Sequence, residues 1–170
     1  MFPAKALLIT TFVAAQAYAT PTPVAATEEL VVLGTKDTSF GKLTYYGPAP
    51  SANSTTAAVT VARRCGSNDV TCSGYNIPSA SVCASLISSL RTNGGTPWPA
   101  SPRSICLSSG STCCVSWHDP VPGLVEGYLI GAADAAFNAC VTDGLSGATT
   151  NTNLNGVCTR QCLSDRPTGC

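Results

Sequence analysis

No cysteine occurs in the first 64 residues, no lysine occurs after them, and the 170-residue chain has a single histidine, His118. Charged residues make up 11% of the chain, against about a quarter in an average soluble domain. From Cys65 onward the cations are Arg91, Arg103, Arg160 and Arg166. The anions are Asp69, Asp119, Glu126, Asp134, Asp143 and Asp165, leaving a net charge of −2. A surface without a basic stripe excludes nucleic acid and anionic membranes as natural partners. One histidine cannot complete a usual zinc set, and no glycine-rich phosphate loop is present, so no cofactor or metal is expected. After the first twenty residues no apolar run approaches the ~20 needed to cross a bilayer.

What the chain does have is ten cysteines, all in its last 106 residues: Cys65, Cys72, Cys83, Cys106, Cys113, Cys114, Cys140, Cys158, Cys162 and Cys170. Ahead of them, residues 1–19 read as a signal peptide. Lys5 supplies the positive charge, Ala6 to Ala15 the short apolar core, and Ala17-Tyr18-Ala19 the small-x-small cleavage pattern. An even cysteine count behind an export signal reads as up to five disulfides formed outside the cell. The expectation is a secreted monomer with no membrane span.

Residues 20–63 differ in composition. Rich in Pro, Thr, Ser and Ala, they read as a linker or pro-segment with little apolar patterning beyond Val31-Val32-Leu33 and Leu43-Thr44-Tyr45-Tyr46. Asn53-Ser54-Thr55 is an N-glycosylation acceptor. Arg63-Arg64 reads either as a dibasic processing site or as two solvated residues ending the strand-like Val59-Thr60-Val61-Ala62.

Residues 64–170 form the cysteine-rich domain, large enough to bury a core but small enough to benefit from cross-links. Val82, Cys83, Leu86, Ile87 and Leu90 recur at helical spacing after Ser79 or Ser81 and before Asn93-Gly94-Gly95. A second helix follows Pro122-Gly123, with Val125, Leu129, Ala132, Ala133, Ala136, Phe137 and Cys140 on one face; its alanines imply close approach to a sheet. Strand patterns fall at Val59–Cys65, Ser104–Leu107, Cys113–Trp117 and Gly156–Leu163, with Ser108-Ser109-Gly110-Ser111 as a hairpin turn. The order is β-α-β-β-α-β, an α+β, disulfide-rich two-layer sandwich with an antiparallel sheet and both helices on one face. Alternation puts Cys113, Val115 and Trp117 together and Cys114 opposite, so the adjacent cysteines take different partners. Cys158 and Cys162 share a face. The pairing itself stays open.

Catalytic chemistry is thinly represented. His118, before Asp119-Pro120, lacks a Gly-x-Ser-x-Gly nucleophile elbow and reads as a polar strand end. Glycoside hydrolysis needs two facing carboxylates. Of Asp119, Glu126, Asp134 and Asp143, the pair on the second helix, Glu126 and Asp134, stands eight residues apart, more than two turns. Glu126 suits a helix start electrostatically. Trp98, in Thr96-Pro97-Trp98-Pro99, reads either as an exposed recognition residue or as packed on the first helix, whereas Trp117 reads as core.

Arg64-Cys65-Gly66-Ser67-Asn68, Ser104-Ile105-Cys106, Cys113-Cys114-Val115-Ser116-Trp117 and the closing stretch from Leu154 to Cys170 resemble the fungal "WD-like" domain family of secreted cysteine-rich proteins. The likeness covers Arg64 to Cys170. It is unrelated to WD-repeat propellers, whose ~40-residue repeat is absent here. The resemblance implies no catalytic residues. A second likeness, carried by layout and Cys65-Gly66-Ser67, is to fungal killer toxins and necrosis-inducing effectors; fold alone implies no function. The reading that follows is a non-enzymatic binding module facing a protein or cell-wall carbohydrate. The alternatives are a small secreted hydrolase or a structural wall or matrix component.

Overall fold

The computed structural model describes residues 29–49, 65–95, 97–98 and 102–170. The proposed signal peptide, Asn53, Arg63-Arg64 and most of the expected strand Val59–Cys65 lie outside these residues.

Seven strands form one antiparallel sheet: β1 (Leu30–Thr38), β2 (Gly41–Pro48), β3 (Asp69–Ser73), β4 (Ser104–Ser109), β5 (Ser111–Trp117), β6 (Ser146–Leu154) and β7 (Val157–Ser164), in the spatial order β1-β2-β4-β5-β7-β6-β3. Helices α1 (Ala80–Thr92) and α2 (Ile130–Ala139) contribute to the same core, so both cover one face. That is the expected two-layer α+β architecture.

Strand β3 at Asp69–Ser73 is not among the expected strands, and three further features differ from the expectation. The first is the β1–β2 hairpin, which arises inside the segment read as a linker. Along β2, burial alternates so that Leu43, Tyr45 and Gly47 are buried and their neighbours are not, and Leu43 and Tyr45 join the core beside Ile105 and Leu107 of β4. The second is β6, a strand of Ser, Thr and Asn with few apolar residues. Asn155 and Gly156 both have positive φ, 49° and 85°, the geometry of the tight hairpin turn for which Asn-Gly is preferred. That turn folds β6 back onto β7. The third is α2, which starts at Ile130, later than expected. Val125 is held extended instead, through a bridge to Pro97, and the Leu124 carbonyl accepts a bond from Trp98 N–H (3.3 Å). A 3₁₀ turn, Glu126–Leu129, then leads into the helix.

The α1 stripe packs as its spacing predicts, with Val82, Cys83, Leu86, Ile87 and Leu90 all buried. The alanines of α2 let it approach the sheet closely: a Cβ added to Gly147 of β6 would sit 2.8 Å from the Ala136 Cβ. Cys113, Val115 and Trp117 face the helices, while Cys106 and Cys114 face away.

All ten cysteines pair, as Cys65–Cys158, Cys72–Cys140, Cys83–Cys113, Cys106–Cys114 and Cys162–Cys170. Each bond has a distinct mechanical role. Cys83–Cys113 fastens α1 to β5, Cys72–Cys140 fastens edge strand β3 to the end of α2, and Cys106–Cys114 joins directly opposed residues of β4 and β5. Cys162–Cys170 folds the final residues over the helix-free face, where Cys170 N–H meets the Ser116 hydroxyl (3.2 Å). The adjacent Cys113 and Cys114 do take different partners, because the strand points them to opposite faces.

Candidate functional site

Among the described residues, Glu126 is the one buried charged side chain, at 1% exposure. Three local features put it there. Val125 is extended and turns the chain inward. Gly127 then packs against the turn that ends α1, donating its N–H to the Gly94 carbonyl at 3.0 Å. A side chain at 127 would not fit, since its Cβ would lie 2.9 Å from that same oxygen. Lastly, the strand-like run at Pro97–Trp98 brings an indole over the carboxylate.

The carboxylate oxygen Oε1 accepts two bonds, from the Tyr45 hydroxyl and from Trp98 Nε1–H, each 3.2 Å. The two rings pack on each other with centroids 3.7 Å apart and planes at 34°. Oε2 has no hydrogen-bond partner among the described residues. Burial pushes the Glu126 carboxyl above the usual glutamate range; the bonds from Trp98 and Tyr45 and the charge of Lys36 oppose that rise without cancelling it. Tyr45 is pushed up as well, by burial first and by the neighbouring carboxylate second.

Burial therefore favours the protonated acid. Its stabilising contribution is complete below the ordinary glutamate pKa of about 4.3 and drains away as pH rises through the raised value. We expect the melting temperature of the wild-type protein, relative to Glu126→Gln, to fall as pH is taken from about 4 to 8. A difference that stays flat across that range would show the carboxyl to be unperturbed.

The other sequence candidates lie elsewhere. Asp134 is bound by Arg91, whose Nη2 reaches both carboxylate oxygens at 2.6 and 2.7 Å, tying α2 to α1. His118 Nδ1 lies 3.2 Å from Asp119 Oδ1, in an exposed pair at the end of β5. Asp143 is exposed in the short 3₁₀ turn after α2. Among the described residues no hydrogen bond or ion pair joins Glu126 to Asp134, His118 or Asp119, and no cluster of three or more His, Cys, Asp or Glu side chains forms a metal set. No helix among them is long and apolar enough to cross a membrane.

Trp98 and Glu126, weighed separately in sequence, thus meet in one place. Trp98 is half-buried, packed on Tyr45 and in contact with the core. Tyr45 was missed as a site residue because it lies in the Pro- and Ser-rich segment; the alternation Leu43-x-Tyr45-x-Gly47 is the signal that exposes it.

In comparison with known proteins, the model of the family described as Fungal WD-like matches residues 49–170. That span begins ahead of the Arg64 boundary read from the cysteine motifs, just past the end of β2. Neither the curated proteins nor the solved structures give a match.

Proposed function

Because the chain belongs to the Fungal WD-like family, a family of small fungal domains here braced by five disulfides, we propose that it acts outside the cell as a binding module that recognises a surface protein or wall carbohydrate without converting it. The observation that carries this reading is the separation of the titratable groups. Glu126 is roofed by Tyr45 and Trp98, Asp134 is spent on Arg91, and His118 pairs with its own neighbour. Hydrolysis of a glycosidic bond needs two carboxyl groups held across one substrate. Ser–His chemistry needs a nucleophile within hydrogen-bond reach of the imidazole. An extracellular site of action is supported by the cysteines, since structural disulfides persist in oxidising compartments. Cross-linking also keeps a recognition surface rigid and lowers the ordering cost of binding.

The test is incubation of the purified protein with washed fungal cell walls. We expect saturable co-sedimentation and no release of soluble sugar or peptide from the wild type, with His118→Ala co-sedimenting equally and neither it nor Glu126→Gln changing the absence of release. Time-dependent release that either substitution abolishes, at unchanged melting temperature, would make the protein a hydrolase.

A further inference from the structure

The hairpin Leu30–Pro48 combines properties that seldom occur together. It lies outside the family match, which starts at residue 49. It contains no cysteine, whereas every disulfide closes within Cys65–Cys170, so no cross-link holds it to the rest of the molecule. Yet it is deeply engaged. β2 pairs with β4 from Lys42↔Ser108 to Tyr46↔Ser104. Leu43 and Tyr45 are 0% and 1% exposed, and the Tyr45 ring and hydroxyl close over Trp98 and Glu126. The Tyr46 carbonyl also accepts the Arg103 N–H at 2.7 Å.

This is the anatomy of a bound strand ligand. Main-chain bonds along one edge supply affinity, and alternate side chains dropping into pockets supply specificity. We propose that the hairpin is a displaceable ligand held in cis, and that β4 with the Trp98–Glu126 pocket beneath it is a docking edge for an extended peptide carrying an apolar residue and, two positions later, a tyrosine. The proposal rests on the binding-module reading and gives it a surface and a partner class.

The pocket explains the tyrosine. Trp98 offers a ring face, and Glu126 Oε1 at the base accepts the phenol proton donor. Oε2 is left unpaired among the described residues, so an incoming strand that brings a polar partner to it satisfies an atom that the resident hairpin does not. The cis arrangement sets the threshold. A short connection keeps the hairpin at an effective concentration of order millimolar, which a free peptide must exceed until the connection is cut. In the sequence, that connection carries Arg63-Arg64.

The experiment uses the full chain with a site-specific protease recognition sequence substituted within residues 51–62, nicked after purification and mixed with a fluorescein-labelled synthetic peptide of residues 29–49. The nicked protein is expected to take up the labelled peptide and release its own hairpin, as followed by gel filtration. A Tyr45→Ala peptide should bind roughly tenfold more weakly or worse, and uncut protein should take up none at the same concentration. Near-ultraviolet circular dichroism checks that the disulfide-bonded part keeps its packing. Failure of uptake at large peptide excess, equal uptake of the Tyr45→Ala peptide, equal uptake by uncut protein, or loss of packing once the hairpin leaves would each overturn the proposal. Wall co-sedimentation of the nicked protein separates the two readings. If it persists without exchange, the docking edge alone is wrong; if exchange occurs without it, only the wall-facing role falls.

Discussion

Replacing Cys83 and Cys113 together by alanine is expected to lower unfolding stability by about 3–5 kcal/mol, a large part of the 5–15 kcal/mol typical of a domain. The bond closes a loop of 30 residues, for which the chain-entropy term alone is about 3.5 kcal/mol. Both half-cystines are fully buried, so the substitution also leaves a void between α1 and β5. Cys162–Cys170 is the informative contrast. It spans 8 residues, for which the same term is about 2.5 kcal/mol, and it ties down a terminal segment instead of joining two layers. Guanidinium unfolding of the two double variants should show the Cys83/Cys113 pair losing more. The reverse order would mean that the terminal staple, and not the bond between layers, dominates.

Trp117→Ala is expected to cost about 3–5 kcal/mol, the range for removing a large aromatic side chain from a core. Trp117 is the largest of the fully buried side chains, on the helix-facing side of β5. Trp117→Phe should cost much less, about 1–2 kcal/mol, for a specific reason. The indole nitrogen is buried without a hydrogen-bond partner among the described residues, so phenylalanine gives up ring volume but no bond and relieves an unpaired donor. Chemical denaturation of both variants checks this. If phenylalanine costs as much as alanine, the nitrogen is bonded after all, for instance through an internal water.

How far the fold could be read from sequence depended on whether burial left a periodic trace. The α1 stripe, the Cys113-Val115-Trp117 face and the split fate of Cys113 and Cys114 were legible because each follows from the geometry of one element. β6 was not. Its side chains are mostly Ser, Thr and Asn, several of them buried through bonds such as Thr149 Oγ1–H to the Gln161 carbonyl and Thr152 Oγ1–H to Thr149 Oγ1, which no hydropathy pattern records. Asn155-Gly156 was the available signal. The start of α2 departs from its helical pattern for a different reason: tertiary pairing with Pro97 holds Val125 extended, and a helix propensity cannot outweigh a bridge formed with a distant segment.

The candidate site shows the same division. Glu126 and Trp98 were each recognisable as residues that call for an explanation, but their meeting depends on the approach of Gly127 to Gly94 and on the path of Pro97–Trp98. Tyr45 was hidden by composition, since Pro- and Ser-rich flanks made a strand pair look like connecting chain. A lone hairpin is marginal in water, and this one is held by what it covers.

The two outer strands of the sheet carry one more consequence. β1 is broken in register between Val32 and Gly34, and β3 has five residues, four of them solvent-exposed, with its fourth residue, Cys72, bolted to Cys140 at the end of α2. A kinked rim and a short polar rim are both poor templates for a neighbouring molecule's backbone. Copies of this protein that meet in concentrated solution are therefore offered little straight ladder to extend, which disfavours fibre-like stacking at either end of the sheet.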